Sequence, residues 1–182
     1  MDEFFDPVAI LGVLKSHDVR FVVIGGFAAV AHGSTLPTGD LDITPQQARD
    51  NLERLSLVLT KLDARIRAAG QPEGLRFAHS GSSLQGIDVL NLTTRYGDLD
   101  IVAHPSGDLD YDTLSKNALT ISIHGMDIPI ASLADVINSS SAANQPNDNE
   151  APGILREIEK TANESPAGPE TTPDSSDVGI EP

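Results

Sequence analysis

Apolar positions recur along this chain with two different periods, and the switches between them mark out a series of short elements. Asp6 and Pro7 read as a cap and first-turn proline, and Val8, Leu11 and Leu14 then line one face of a helix that ends at His17-Asp18. Residues 20–24 form a short β-branched strand. Gly25-Gly26 turns the chain, and 27–32 predicts a compact Ala-rich helix closed by Gly33. After a loop at 34–38, residues 39–43 alternate. Leu41 and Ile43 lie on one face and Asp40 and Asp42 on the other, the pattern of a half-buried strand.

Thr44-Pro45-Gln46-Gln47 predicts a helix start with Thr44 as its cap. A stripe of Leu52, Leu55, Leu59, Leu62 and Ile66 follows at helical spacing, with Gly70 as the stop. Strands are expected at 75–78, 87–92 and 99–103, a helix at 111–118, a hairpin from 119–123 and 126–130, and a capped helix at 132–138. A weaker helix at 148–160 is interrupted by Pro152-Gly153. From Ala162 the chain is Pro, Glu, Ser and Thr with almost no apolar residues, which predicts a disordered acidic tail. The expected division is one domain over 1–160 and the tail over 161–182.

Charge sharpens this picture. The net charge is −15, and residues 1–160 alone set twelve Lys and Arg against twenty-two Asp and Glu. The domain itself is therefore acidic, which repels phosphate backbones and offers no electrostatic footprint for nucleic acid. The absence of cysteine excludes disulfides and thiolate metal sites. No apolar run approaches a membrane span, and Met1-Asp2-Glu3-Phe4-Phe5 lacks a basic signal region. The expectation is a cytoplasmic protein with no membrane partner.

The chemistry concentrates in the acids. Residues two apart on a strand share a face, so Asp40 and Asp42 converge. Two carboxylates that close repel unless a cation lies between them, and a hard divalent cation such as Mg²⁺ suits oxygen ligands. A third carboxylate from a neighbouring strand would complete a two-metal clamp for phosphoryl transfer, and Asp88, Asp98 and Asp100 are candidates. Upstream, Gly25-Gly26 directly follows a strand, where glycines let a backbone approach phosphate. Alone, each feature has a plainer reading, as a solvated strand face or a tight turn. His32, His79, His104 and His124 have no metal-ligand spacing. Asp108, Asp110 and Asp112 imitate a calcium loop without its glycine and glutamate, so they read as a turn and helix cap.

The order of these features carries a resemblance. Val22-Val23-Ile24-Gly25-Gly26-Phe27-Ala28-Ala29-Val30-Ala31-His32-Gly33, followed by Leu36-Pro37-Thr38-Gly39-Asp40-Leu41-Asp42-Ile43, resembles the DNA polymerase β-like nucleotidyltransferase superfamily. More narrowly it is similar to the toxin branch, the AbiEii and MenT group of toxin–antitoxin systems. Thr93-Thr94-Arg95-Tyr96-Gly97-Asp98-Leu99-Asp100-Ile101-Val102 resembles the family strand bearing the third carboxylate. Ala131-Ser132-Leu133-Ala134-Asp135-Val136-Ile137 resembles the segment leading into its substrate-binding helix. The likeness implies an α/β (α+β) fold: a mixed sheet flanked by helices, with a small helical C-terminal part. It implies that Asp40, Asp42 and Asp100 hold two Mg²⁺ ions, that Asp100 helps activate the acceptor, and that Gly25, Gly26 and Thr38 surround a nucleoside triphosphate. It further implies nucleotide transfer to an acceptor, in several toxins the 3′ end of tRNA, and a cognate antitoxin as partner.

The departures from the pattern fall on cations. Leu36 stands where the family usually has Arg, and Ser140, Gln145 and Asn147 stand at usually cationic positions. Lys and Arg there would offset triphosphate charge. Two expectations therefore stand side by side: an Mg²⁺-dependent nucleotidyltransferase toxin, or a catalytically impaired relative that keeps the fold and acts as a protein-binding regulatory or antitoxin-like partner.

Overall fold

A computed structural model of the chain describes residues 4–106, 108–142 and 150–164. Fifteen elements follow in order among them: α1 (Pro7–Ser16), β1 (Phe21–Ile24), α2 (Gly25–Ala31), β2 (Asp40–Pro45), α3 (Arg49–Lys61), β3 (Arg65–Ala68), β4 (Gln71–Leu75), α4 (Gly81–Leu84), β5 (Val89–Thr94), β6 (Gly97–Val102), α5 (Tyr111–Asn117), β7 (Leu119–Ile123), β8 (Met126–Ile130), α6 (Leu133–Ala142) and α7 (Glu150–Glu164). The strands form one sheet in the order β4-β3-β5-β6-β2-β1-β8-β7. β2 runs parallel to β6 and β1 parallel to β8, and the other neighbours are antiparallel. This is the mixed sheet flanked by helices that the resemblance implies.

The core grows from the apolar side of the sheet. Asp6 caps α1 by accepting from Ala9 N–H at 2.9 Å, and the helix buries Ile10, Leu11 and Leu14. α3 buries Leu52, Leu55, Val58 and Leu59, and these join Leu41, Ile43, Leu92 and Leu99 in a single cluster. Each fully buried aliphatic side chain contributes about 1.5–3 kcal/mol of transfer free energy. In β2, Leu41 and Ile43 are buried completely while Asp40 and Asp42 are half-buried on the other face. No helix among the described residues is long and apolar enough to cross a membrane.

Several boundaries differ from the sequence expectation. Thr44 and Pro45 do not open a helix. They belong to β2, paired with Val22 and Phe21 of β1, and α3 begins only at Arg49 behind Ala48, which makes no side-chain cap. Pairing with β1 outweighs the local capping signal. The start of α3 is fastened instead by buried Asn51. Its Oδ1 accepts from Arg20 N–H at 2.7 Å, and its Nδ2 donates to the carbonyls of Arg20 and Gln46, both at 2.9 Å. The leucine stripe also ends early, because Asp63 takes a positive φ of 50° and reverses the chain. Ile66 therefore lies in β3, paired with Leu92 of β5, and Gly70, at φ 74°, makes the turn into β4. The strand expected at 75–78 lies instead at Gln71–Leu75, as β4.

Pro152 falls in the first turn of α7, where its missing N–H has no intrahelical partner to lose, so the helix is continuous. That helix runs to Glu164, past Ala162, where composition predicts the tail to begin. The remainder of the expected tail, 165–182, lies outside the described residues.

Replacing Asn51 by Ala should leave the Arg20 N–H and the Gln46 carbonyl without their Asn51 partner, while the Arg20 carbonyl keeps the Gln46 N–H at 3.0 Å, at a cost of about 2 kcal/mol. Denaturant unfolding should show a lower midpoint for Asn51→Ala with an unchanged slope. A midpoint equal to wild type would show that the strand–helix junction is held by other groups.

Candidate functional site

The polar face of the sheet is laid out by strand register. Asp40 pairs with Asp98 and Asp42 with Asp100 across the parallel β2–β6 ladder. Asn91 pairs with Asp100, and Thr93 with Asp98, across β5–β6. Arg65 of β3 pairs with Thr93, and Arg67, two residues on, extends that register toward Asn91. One face thus grades from acids on β2 and β6, through amide and hydroxyl on β5, to guanidinium groups on β3.

Within this array the structure brings together one carboxylate oxygen each from Asp40, Asp42 and Asp100, all within 4.8 Å of one another. The other two candidates stand apart from this cluster. Asp98 is held by Arg67 Nη1 at 3.1 Å. Asp88 is exposed and meets His104 Nδ1 at 3.1 Å. Asp100 receives Arg67 Nη2 on Oδ1 and Asn91 Nδ2 on Oδ2, the latter at 2.8 Å.

The electrostatic consequence falls on Asp42. Its carboxyl is pushed up to about 7, first by burial and then by the charges of Asp40 and Asp100, while Arg67 and the Gly26 amide pull the other way. Asp100 is also raised, chiefly by burial. Arg67 opposes that shift, Asp40 adds to it, and the hydrogen bonds from Asn91 and Arg67 oppose it further. Three carboxylates share the field of one guanidinium, so their charge is incompletely compensated.

The Gly-Gly turn is fitted directly against this cluster. Gly25 has φ +64°, and a Cβ there would lie 2.7 Å from Asp42 Cγ. A Cβ on Gly26 would lie 2.8 Å from Thr38 Oγ1. Thr38 in turn donates toward Asp40, 3.1 Å from its carbonyl and 3.2 Å from Oδ1. Gly25, Gly26 and Thr38, singled out from the sequence as neighbours of a triphosphate, are thus packed against the acids themselves.

Other candidates fall elsewhere. His32 ends α2 and places Nε2 2.7 Å from the Ala131 carbonyl, joining α2 to the chain ahead of α6. His79 contacts Ser56 Oγ at 2.8 Å, and burial lowers its pKa. Asp110 caps α5 by accepting from Thr113 N–H at 2.8 Å, in keeping with the turn-and-cap reading of 108–112. Ser132 Oγ donates to Asp135 Oδ2 at 2.8 Å at the start of α6. Of the substituted cation positions, Leu36 precedes β2 and Ser140 lies in α6. Gln145 and Asn147 lie outside the described residues.

The sequence reading did not identify Arg67 or Asn91. Extending the leucine stripe to Ile66 placed Arg67 in a helix. The signal available was Arg65-x-Arg67 after Asp63, like charges two apart, which share a face only on a strand.

No family model matches the chain, and no curated protein does either. Solved structures do. The lincosamide antibiotic adenylyltransferase LnuA, bound to lincomycin, superposes with a TM-score of 0.55 at 17% identity over 86% of this chain and 99% of that one. ANT(2″)-Ia in complex with adenylyl-2″-tobramycin gives 0.50 at 14% identity over 83% and 89%. The chain has the nucleotidyltransferase fold.

The raised carboxyl of Asp42 sets the sign of a pH effect. Its folded pKa lies above the ordinary 3.8, so between these values the folded state binds the extra proton. Metal-free protein should therefore lose stability as pH rises toward and through 7. From pH 5.5 to 7.5 the loss from this group is about 2 kcal/mol. It should be read as the difference in unfolding free energy between wild type and Asp42→Asn, which lacks the titrating group. Parallel pH profiles for the two proteins would contradict this account.

Proposed function

We propose that the protein transfers a nucleotidyl group from a nucleoside triphosphate to an acceptor hydroxyl, with Mg²⁺ held by Asp40, Asp42 and Asp100. The observation that carries this reading is the convergence of three carboxylate oxygens within 4.8 Å on a sheet of the nucleotidyltransferase fold. The donor set suits the cation: all ligands are hard oxygens, and their mutual repulsion is what a divalent charge relieves. When bound, the cation neutralises triphosphate charge and steadies the pyrophosphate leaving group.

The protein's own groups divide the remaining work. Asp40, braced by Thr38, and Asp42, seated against Gly25, present their oxygens on one strand face. Asp100, aimed by Asn91, takes the proton of the acceptor hydroxyl as its oxygen bonds to the α-phosphorus and pyrophosphate departs. Gly25 and Gly26 leave room for Asp42 and Thr38 to close on their backbone.

The narrower role implied by the sequence motifs is that of a toxin in a toxin–antitoxin pair, with tRNA as acceptor. The net charge of −15 opposes a polyanionic acceptor. The fold relatives named above are, by their descriptions, an antibiotic adenylyltransferase and a protein holding adenylylated tobramycin, which favours small hydroxyl compounds as the first acceptors to test. A second reading, a fold-preserving relative that works through protein binding, is favoured by Leu36 and Ser140 at positions where the family carries cations.

Calorimetry with each nucleoside triphosphate, with and without Mg²⁺, separates the two. The enzyme reading expects Mg²⁺-dependent binding that Asp40→Asn and Asp42→Asn abolish. It also expects transfer of label from an α-labelled nucleotide to tRNA or a small hydroxyl acceptor, lowered at least about 100-fold by Asp100→Asn. Absence of nucleotide binding at millimolar concentration would leave the protein-binding role.

A further inference from the structure

We infer that Arg67 is a positioning residue whose guanidinium competes with a divalent cation for Asp100, latching the metal centre until metal displaces it. The inference rests on the metal-centre reading proposed above. Its observations lie in the side chains around Asp98 and Asp100.

Arg67 reaches from β3 across β5 to β6 and bridges two acids at once, with Nη1 on Asp98 Oδ2 at 3.1 Å and Nη2 on Asp100 Oδ1. Asp98 and Asp100 are two residues apart on one strand, a spacing that a planar fork of donors can span and a point charge cannot. The side chains of Asp98 and Asp100 are only 24% and 11% exposed, so the contact is partly withdrawn from water and outweighs a surface ion pair. Among the described residues, no other Lys or Arg forms an ion pair with Asp40, Asp42 or Asp100.

Both oxygens of Asp100 are engaged, one by Arg67 and the other by Asn91. A divalent cation that uses Asp40, Asp42 and Asp100 together must therefore share Asp100 with a guanidinium of like charge. Repulsion between the two cations weakens one bond or the other. The geometry provides a resting place for the loser, because Nη1 is already bound to Asp98, which lies outside the three-oxygen cluster. Arg67 can release Asp100 without becoming an unpaired charge. The arrangement keeps Asp100 in one orientation when metal is absent and makes metal affinity lower than three carboxylates alone would give.

The test is a Mn²⁺ titration of the full chain without nucleotide, by calorimetry and by the electron paramagnetic resonance signal of free Mn²⁺, with thermal unfolding alongside. Arg67→Met should bind Mn²⁺ roughly tenfold tighter than wild type, since a charge-assisted bond no longer has to be broken. Its metal-free melting temperature should fall, and added Mn²⁺ should raise it by more than in wild type. Arg67→Lys keeps the charge but cannot bridge both acids, so it should lie between the two, and it carries the test if Arg67→Met does not fold. Wild-type or weaker Mn²⁺ affinity in a folded variant overturns the inference while leaving the metal centre standing. Failure of wild type and variants alike to bind Mn²⁺ removes the metal centre itself and the competition with it.

Discussion

The register of the parallel β2–β6 ladder is the constraint on which the site depends. Asp40 faces Asp98 and Asp42 faces Asp100 because Leu41, Ile43, Leu99 and Ile101 fill the core on the opposite face of the same two strands. Side chains alternate along a strand, so a slip of one residue would carry these aliphatic groups into water and the acids into the core. Burial of the apolar face therefore fixes the polar face. The cost is that like charges are brought together: the packing that positions Asp42 also raises its carboxyl to about 7.

Much of the surrounding structure answers that cost. Gly25 and Gly26 are glycines because Asp42 and Thr38 occupy the space that side chains there would need. Thr38 and Asn91 supply donors to Asp40 and Asp100. Among the described residues Arg67 supplies the one positive charge that pairs with these acids, from a strand at the far side of β5. None of these groups removes the excess negative charge. The site is thus preorganised but under-neutralised, a state that favours entry of a multivalent cation over closure into a salt-bridged surface.

The legible part of this arrangement was local. Alternation in 39–43 gave β2 and the shared face of Asp40 and Asp42, and the succession of strand, Gly-Gly and helix gave the neighbourhood of the acids. Spacing alone left Asp88, Asp98 and Asp100 open, since only sheet register separates them, and the resemblance pointed to Asp100. The parts not legible were those decided by tertiary pairing. Thr44-Pro45-Gln46-Gln47 carries a good capping pattern, yet β1 claims Thr44 and Pro45 for the sheet. Ile66 sits four residues after Leu62 and so continues a helical stripe by coincidence, although Asp63 has already turned the chain. That coincidence concealed β3, and with it Arg67, the residue that most alters the reading of the site.

Arg67 also changes what the missing cations mean. Judged from Leu36 and Ser140, the positive half of the site is depleted, and loss of function is the natural conclusion. The folded chain carries a guanidinium at the acids all the same, on an element outside those motifs. It is committed to Asp98 and Asp100 in the metal-free state, so it does not simply replace a phosphate-binding lysine. On the competition inferred above, charge at this centre would instead be linked to metal: a divalent ion taking Asp100 would loosen Arg67, and loss of the ion would restore it. A site so built would depend more heavily on a divalent cation than one supplied with several fixed cations, because the metal would both neutralise the acids and determine where the remaining positive charge lies.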